Sequence, residues 1–442
     1  MAGLRTRRSL PPGPRGPFVY HMLRALVGGV PYVARWRERY GDLFTLHVPS
    51  IGCVVAVTDP ELVKQALTGD PEVLEAGEGN RPLEIAVGPR SLLILDGTEH
   101  LSQRKLLLPP FHGAALDQYR DLIGRLADEA LDRMPVGKPF GLLPRMQELT
   151  LEIIMQVVFG IEDERRLAEL RPRLRRLLAL ATSPQIYPRY ALRAVGGMRS
   201  WRSYRRAVTE ADRLLLDEIA RRRADPDLES RTDIVALLLR ARTEEGEGMS
   251  DAAMRDQLAT LVIAGHETTA NALSWTFERL VRHPDALERL TEEAAAENGD
   301  AYAGAVVQEA MRVRPPVPFV ARKLTRSFEL DGHVLPAGTR VLPLIILIHD
   351  RADLYQDPHA FRPERFLDAR PETYGWLPFG GGIRRCIGAS FATLEMKEVL
   401  HRMVRRGDFA ATSKRSERPF MRAIFFSPLR GGRVVLERRA AG

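Results

Sequence analysis

One segment in the second half of the sequence restricts the fold more than any other, because it reads as a single very long helix. It begins at Ser250, a good N-cap residue, and continues to about Arg282, shortly before Pro284. Roughly 33 residues at ~1.5 Å each would extend ~50 Å, about the width of the whole molecule. Its centre, LATLVIAGHETTANALSW, is apolar on every side, which is typical of a helix buried among other helices. We therefore expect a large helical body around this central helix.

The rest of the chain predicts mostly helices, with a few short strands kept apart from them. Helical patterns dominate from about 96 to 300, and a helix capped by Asp59 precedes them. Residues 43–57 and 328–338 read as hairpins, the second with an Asp-Gly turn, and the strand-like AIFFSP and RVVLE lie near the C-terminus. Loops are expected at 183–188, 224–231 and 244–249. This pattern predicts a mainly α protein with small segregated β-sheets, an α+β arrangement.

No linker divides the chain, so we expect one domain from residue 19 to 442 after a Pro/Arg-rich N-terminal tail, residues 1–18. Residues 19–30, VYHMLRALVGGV, read as an amphipathic helix on the body of the protein. This helix is too short to span a bilayer and contains Arg24, so no transmembrane anchor is expected.

Cysteine content and charge exclude several classes of protein. Cys53 and Cys386 are the only cysteines, which rules out a disulfide framework and indicates a reducing, cytoplasmic location. The apolar run around Cys53 predicts a buried strand thiol. The net charge is +8, but the arginines alternate with acidic residues along helices and no nucleic-acid motif accompanies them. Solvated helix faces explain this charge, and no nucleic-acid partner is expected.

The middle of the long helix carries polar residues where its surroundings should be apolar. The stretch AGHETT (264–269) places a carboxylate, Glu267, beside a hydroxyl, Thr268, and such a pair can relay protons. Polar, helix-weakening residues in a buried helix tend to mark functional sites. The alternative of a zinc-protease HExxH motif that starts at His266 fails, because the second histidine would fall at Ala270.

The second unusual segment is FGGGIRRCIG, residues 379–388, which places Cys386 directly before a helix. The helix N-terminus, Arg384 and Arg385 all favour a thiolate at Cys386. The glycines allow backbone N–H groups to approach the sulfur closely. One cysteine is too few for a zinc or iron–sulfur site, but one thiolate suffices as the axial ligand of haem iron.

FGGGIRRCIG resembles the haem-binding signature of the cytochrome P450 superfamily, which matches at Phe379, Gly382, Arg384, Cys386 and Gly388. The resemblance implies a b-type haem with Cys386 as its iron ligand. It also implies that Arg384 pairs with a haem propionate and that Phe379 packs against the ligand loop.

AGHETT is similar to the oxygen-activation motif of the same family. The similarity places the acid at Glu267 and the alcohol at Thr268, with Ala264 and Gly265 beside the haem.

Two further groups of residues take their roles from the resemblance. Glu309 and Arg312 are neighbours on one helix face and alone would be an ordinary surface ion pair. With Arg365 in FRPERF they resemble the structural Glu–Arg–Arg network of the family. His100 and Arg104 project from one helical face and could donate to anionic groups together.

By the same resemblance His100 and Arg104 contact the haem propionates, as in soluble bacterial members of the family. Arg322 corresponds to another arginine that binds a propionate.

The implied fold is the cytochrome P450 fold, and the implied enzyme is a haem-thiolate monooxygenase that inserts one oxygen atom from O2 into an organic substrate. Electrons would come from NAD(P)H through a ferredoxin or flavodoxin with its reductase. The protein would be a cytoplasmic monomer of the soluble bacterial type, and a weak peripheral contact with a membrane is left open. A lipophilic substrate is expected, because the residues that correspond to the pocket are apolar: Leu261, Ala264, Val317, Phe319 and Val320.

Two alternatives stay open at this point. One is a peroxygenase of the same fold driven by peroxide, although such members lack the acid–alcohol pair found at Glu267 and Thr268. The other is a haem-thiolate sensor or binding protein, which needs neither a proton relay nor an electron donor.

Overall fold

Helices form most of the computed structural model, which describes residues 10–49, 51–160, 164–181, 199–243, 246–297, 299–369 and 371–440. The helices are α1 Phe18–Tyr40, α2 Pro60–Thr68, α3 Gly77–Asn80, α4 Glu84–Val87, α5 Gly97–Leu107, α6 Arg120–Asp132, α7 Leu142–Phe159, α8 Glu164–Ala181, α9 Arg199–Arg223, α10 Ile234–Arg240, α11 Asp251–Leu280, α12 Pro284–Ala296, α13 Ala301–Val313, α14 Ile345–Ile348, α15 Arg365–Asp368 and α16 Ala389–Arg406. The strands are β1 Leu43–Val48, β2 Gly52–Val57, β3 Leu74–Glu75, β4 Pro139–Gly141, β5 Arg322–Leu324, β6 Phe328–Leu330, β7 His333–Leu335, β8 Arg340–Pro343, β9 Gly407–Ala411, β10 Pro419–Arg422, β11 Phe425–Pro428 and β12 Arg433–Arg439.

The predicted central helix is α11, which runs for 30 residues, slightly less than expected. The Ser250 hydroxyl accepts a hydrogen bond from the Ala253 N–H and caps its N-terminus, as predicted. Nearly all of its residues are buried, and α7 is the element that it packs against most extensively. The helix is continuous through Gly265 to Thr269, so the polar residues there do not interrupt it.

The strands form small sheets at the margins of the helical body. One sheet has the order β1-β2-β8-β5-β3, a second has the order β4-β12-β9, and β6-β7 and β10-β11 are separate two-stranded ribbons. Both predicted hairpins are present, and in the second Asp331 and Gly332 adopt φ 49° and 73°, as a type I′ turn requires. The prediction of a mainly α protein with segregated sheets is confirmed.

The N-terminal helix is longer than the sequence indicated. It spans Phe18–Tyr40 instead of 19–30, with a kink where Gly29 adopts φ 60°. The preceding proline-rich segment lies along the edge of β1, where the Thr45 N–H donates to the Pro12 carbonyl over 3.0 Å. Among the described residues, no helix is long and apolar enough to cross a membrane.

One sequence expectation falls on a part of the chain that is not described. The predicted loop at 183–188 lies outside the described residues. The predicted loop at 224–231 is present between α9 and α10.

The β10-β11 ribbon is tied to the central helix by one buried side chain. The indole N–H of Trp275 donates to the Phe426 carbonyl over 2.7 Å, and Trp275 is completely buried. The two rings also pack, with centroids 6.5 Å apart. The ribbon is thereby fixed to α11.

We expect Trp275→Phe to lower the free energy of unfolding by about 1–3 kcal/mol, because the Phe426 carbonyl loses its buried donor. Thermal and denaturant unfolding measure the loss. Trp36→Phe is the control, since Trp36 packs edge-on against the Phe44 ring and its contacts are aromatic. Equal losses in the two variants would mean that the indole hydrogen bond does not hold the ribbon.

Candidate active site

Cys386 lies at the end of the glycine-rich loop, directly before α16. Its backbone N–H donates to the Phe379 carbonyl over 2.9 Å, which closes the loop on itself. The Gly388 N–H donates to the sulfur. The loop therefore holds the sulfur in a fixed position at the start of a helix.

Glycine is required inside this loop. Gly382 adopts φ 63°, and a Cβ atom built there would lie 2.1 Å from the Leu67 carbonyl oxygen of α2. Gly380 is also left-handed, with φ 67°. The close approach of the loop to α2 explains why the sequence keeps glycine here.

The Cys386 side chain has accessible surface, although protein atoms surround the sulfur closely enough for burial to affect its pKa. Burial raises the pKa of the Cys386 thiol, while the Gly388 N–H, Arg104 and Arg385 act in the opposite direction. The predicted stabilisation of a thiolate is present, but burial outweighs it. A bound metal cation deprotonates a coordinating thiol outright, so this sulfur is suited to metal ligation.

Cationic side chains converge near the cysteine loop, as the sequence predicted. Burial, followed by the positive charges of Arg384, Arg104 and Arg322, lowers the pKa of His100 to about 3, so His100 is neutral. Burial, followed by the charge of Arg384, lowers the pKa of Arg322 to about 10. Arg104 also donates to the Arg385 carbonyl over 2.8 Å, which places it beside the loop. The structure therefore brings all four predicted residues together.

Asp96 is the acidic residue that faces this cluster. It accepts from Arg384 over 2.5 Å and from the N–H groups of Ala76 and Gly77 over 3.0 Å. Arg384 also donates to the carbonyl of Leu92 over 3.0 Å. The sequence reasoning assigned Arg384 to a propionate and did not anticipate this protein partner.

The cluster has the features of a site for an anionic group. His100 is buried, yet neither of its ring nitrogens has a hydrogen-bond partner. Arg322 is also buried, and its guanidinium donates to the carbonyl of its own neighbour Ala321 over 2.9 Å. Buried donors and excess positive charge of this kind fit carboxylates. With one sulfur nearby, the residues fit a prosthetic group that carries both a metal and acidic side chains.

The middle of α11 presents one face with accessible surface. Ala264, Gly265 and Thr268 are half-buried within a helix that is otherwise almost fully buried, and Leu261 lies on the same face. The Thr268 hydroxyl donates to the Ala264 carbonyl over 2.6 Å. A Cβ atom at Gly265 would lie 3.1 Å from the Ile154 side chain of α7, so this glycine also permits close helix packing.

Glu267 points away from that face, although it is adjacent to Thr268 in the sequence. Gln147 of α7 donates to both carboxylate oxygens over 3.0 and 2.8 Å, and Asn271 donates to one of them over 3.3 Å. Arg422 of β10 lies 3.9 Å from the carboxylate and is 31% exposed, whereas the Glu267 side chain is 1% exposed. The acid is therefore held in a buried polar network that leads towards the surface at Arg422.

In the predicted ion network, Glu309 and Arg312 are completely buried and Arg365 is half-buried. Arg312 donates to both oxygens of Glu309, over 2.6 and 2.8 Å, and to the carbonyls of His349, Pro358 and Ala360. Arg365 donates to the same carboxylate over 3.2 Å. The pair is thus a structural junction between α13 and the segment that follows α14. The surface ion pair that spacing alone indicated is excluded.

His349 connects this network to the cysteine loop. Its Nδ1 lies 3.0 Å from the Arg312 carbonyl, and its Nε2 accepts from the Leu377 N–H over 2.8 Å. Nδ1 therefore carries the proton and donates. Burial and the Arg312 charge lower the pKa of His349 to about 3, which keeps it neutral. Leu377 lies two residues before Phe379, so the network positions the start of the loop.

The remaining predicted residues follow α13. Val317, Phe319 and Val320 are half-buried. Phe319 packs against the cluster of Phe44 and Leu344 beside the large sheet, and Val320 packs near Leu67. Cys53 in β2 is half-buried, less than its apolar surroundings predicted.

Comparison with known proteins places this site in a family. The sequence profile described as Cytochrome P450 matches residues 10–432. Cytochrome P450 137 of Mycobacterium tuberculosis is 44% identical over 409 residues, which cover 92% of this chain and 86% of that protein. Cytochrome P450 135B1 of Mycobacterium bovis is 42% identical, with 96% of this chain and 91% of that protein covered.

Among solved structures, cyanobacterial CYP120A1 bound to retinoic acid is similar with a TM-score of 0.84 and 25% identity, and covers 98% of this chain and 100% of that chain. The chain belongs to the cytochrome P450 family. It is accordingly an oxidoreductase of the haem-thiolate monooxygenase class, with the predicted fold.

Three residues of the site were missed by the sequence reasoning. Asp96 offers the clearest signal, because it stands directly before the helix of His100 and Arg104 without capping it. Gln147 lies on a different helix from Glu267, and His349 lies in an otherwise apolar segment. No spacing rule connects them to their partners, since those contacts form only in the folded chain.

We expect Arg312→Ala to destabilise the folded protein by about 3–5 kcal/mol and to reduce haem incorporation, because Glu309 is left buried without its partner. Thermal unfolding and the haem-to-protein ratio of the purified protein measure both effects. Arg145→Ala is the matched control, because Arg145 forms the same spacing of ion pair with Glu148 at the surface. The control should change stability by less than about 1 kcal/mol. Normal haem content and stability in Arg312→Ala would contradict the structural role.

Proposed function

We propose that this protein inserts one oxygen atom from O2 into a lipophilic organic substrate, using electrons supplied by separate redox proteins. The observation that carries this proposal is the Cys386 sulfur, which accepts from the Gly388 N–H and lies beside neutral His100 and the cation cluster of Arg104, Arg322 and Arg384. Cys386 would ligate the iron of a haem there, and the cluster would bind its propionates. When bound, the haem supplies the oxidising chemistry, and the thiolate donates electron density that favours O–O cleavage.

The residues of the protein have separate roles in this proposal. Cys386 ligates the iron, and His100, Arg104, Arg322 and Arg384 bind the propionates. Arg384 must share its donors with Asp96, which keeps its guanidinium oriented. Because His100 is neutral, it donates one ring N–H, while the arginines carry the positive charge.

Thr268 and Glu267 transfer protons in this proposal. The Thr268 hydroxyl lies on the accessible face of α11 and can hold a proton donor or water there. Glu267 is turned towards Gln147 and Asn271, so delivery to Thr268 requires the carboxylate to leave these partners. Arg422 is partly exposed, and its guanidinium lies 3.9 Å from the Glu267 carboxylate, so in this proposal it connects the acid with solvent. This supports a relay from the surface, through Glu267, to Thr268.

Electron supply is assigned to a ferredoxin or flavodoxin with its NAD(P)H-dependent reductase. Arg385 is exposed and lies next to Cys386 in the chain, and Arg104 contacts the carbonyl of Arg385. Positive charge beside the sulfur suits an acidic electron carrier. The protein acts in the cytoplasm as a monomer in this proposal.

The proposed substrate class rests on the apolar side chains expected to line the pocket and on the apolar ligand of a similar protein. Leu261 and Ala264 share the accessible face of α11 with Thr268, and Val317, Phe319 and Val320 follow α13. CYP120A1 is described as bound to retinoic acid, an apolar carboxylic acid. We assign a lipophilic small molecule to this chain on these two grounds.

Cys386→Ser should abolish the red-shifted Soret band of the reduced carbonyl complex, because that band depends on a thiolate ligand. The absorption difference spectrum measures it directly. Cys53→Ser is the control, since Cys53 lies in β2 and should leave the band unchanged. A band that survives in Cys386→Ser and disappears in Cys53→Ser would overturn the assignment of the ligand.

Thr268→Ala should keep normal haem content but yield less product and more hydrogen peroxide for each NAD(P)H consumed. The reason is that proton delivery loses its hydroxyl while haem binding does not depend on it. We expect a loss of product of about 100-fold, the lower end of the contribution that a positioned proton-transfer group makes. Product and peroxide are measured with a substrate, ferredoxin and reductase.

Thr276→Ala is the matched control for this experiment. Thr276 lies on the same helix, is buried, and donates to the carbonyl four residues before it over 2.8 Å, as Thr268 does. Unchanged coupling in Thr268→Ala would remove this residue from the relay. A wild-type protein that ignores ferredoxin and works with added peroxide alone would be a peroxygenase, and one that forms no product under either condition would be a sensor or binding protein.

A further inference from the structure

The first half of α1 exposes an unusual group of apolar side chains. Val19, Tyr20 and Leu23 are 55%, 54% and 55% exposed. They lie within five residues of one another, whereas the other exposed large apolar side chains of the described chain are spread over its surface. Single exposed apolar residues are ordinary, but a contiguous group indicates a contact surface.

The orientation of α1 places these side chains on its outer face. Val19, Tyr20 and Leu23 stand at positions i, i+1 and i+4, which lie within about 100° of one another on a helix. His21 and Ala25 lie on the opposite side, are half-buried, and face the body of the protein. A surface helix normally turns its polar side outward, so a group of apolar side chains on the outer face is unusual.

A groove lies beneath the helix, on the side opposite Val19, Tyr20 and Leu23. It has a volume of about 560 Å³ and lies between the proline-rich segment, α1 and β1. Its walls are largely apolar and include Leu10, Pro14, Ala25, Trp36 and Leu46.

The charge around this surface is of one sign. Residues 1–37 contain no aspartate or glutamate, and Glu38 is the first acidic residue of the sequence. Arg15 and Arg24 are exposed on either side of Val19, Tyr20 and Leu23. The arginines of this stretch are Arg5, Arg7, Arg8, Arg15, Arg24, Arg35 and Arg37.

We propose that the first half of α1 binds the surface of an anionic lipid bilayer. Val19, Tyr20 and Leu23 insert at the boundary between headgroups and acyl chains, and Arg15 and Arg24 contact anionic headgroups. A helix with an apolar outer stripe and flanking arginines has the form of an interfacial helix. The binding is peripheral and reversible, because only a short apolar stripe is inserted.

A bilayer fits this surface better than a protein partner does. A stable protein interface needs roughly 800 Å² from each partner with shape complementarity at its centre. Three side chains on little more than one turn of helix supply much less. A bilayer requires only partial insertion and gains further attraction from each arginine near its surface.

The experiment measures binding of the haem-loaded, full-length protein to vesicles by co-sedimentation. One set of vesicles contains phosphatidylcholine alone and the other contains phosphatidylcholine with phosphatidylglycerol. The variant is Leu23→Glu, and the matched control is Leu429→Glu, because Leu429 is 54% exposed after β11, far along the chain from α1. Absorption spectra confirm that each variant keeps its haem.

We expect the wild type and Leu429→Glu to bind the anionic vesicles equally. Leu23→Glu should bind about tenfold more weakly or worse, and neutral vesicles should bind the wild type more weakly than anionic ones. Failure of the wild type to bind anionic vesicles at low salt would overturn the proposal. Equal binding by Leu23→Glu, or displacement of the protein from vesicles by soluble polyglutamate alone, would also overturn it, since charge without insertion would then account for the result.

Discussion

The buried ion pair of Glu309 and Arg312 is the interaction on which the position of the site depends. Such a pair contributes little net stability, because desolvation of both charges offsets their attraction. The role of this pair is to position the segments around it. Arg312 donates to three carbonyls of the segment after α14. His349, which belongs to that segment, accepts from the Leu377 N–H at the start of the cysteine loop. The sulfur of Cys386 is therefore held in place by a network whose members lie far from it in sequence.

The charges of the site depend on which of its side chains are neutral and which of them have acidic partners. Burial makes His100 and His349 neutral, so each can combine one donor and one acceptor. Arg104, Arg322 and Arg384 gather near the loop, and Asp96 orients Arg384. The site thus has a surplus of positive charge that only an anionic group can satisfy. This surplus agrees with membership of the cytochrome P450 family, which rests on the sequence comparisons.

Sequence patterns predicted the features that depend only on neighbouring residues in the chain. The cap at Ser250, the apolar centre of α11 and the Asp-Gly turn of the second hairpin are properties of short segments, and each was found as expected. The sequence also indicated the residues of the cation cluster and of the ion network, through their resemblance to a family. It could not show that Glu267 turns towards Gln147, that Asp96 binds Arg384, or that α1 exposes apolar side chains. These features arise from packing between segments distant in sequence, which periodicity does not encode.

The left-handed conformation of Gly382 has an evolutionary consequence. The loop passes so close to the Leu67 carbonyl that even a methyl group would collide with α2, and the backbone angle itself disfavours any other residue. Accumulating mutations can therefore reshape the surroundings of the sulfur only from other directions. Under the proposed function, new substrate preferences would arise along α11 and the segment after α13, while the side of the site that carries Cys386 would stay fixed. The cysteine loop tolerates little change, whereas α11 and the segment after α13 can vary. Under the proposed function, the same chemistry could therefore act on many substrates.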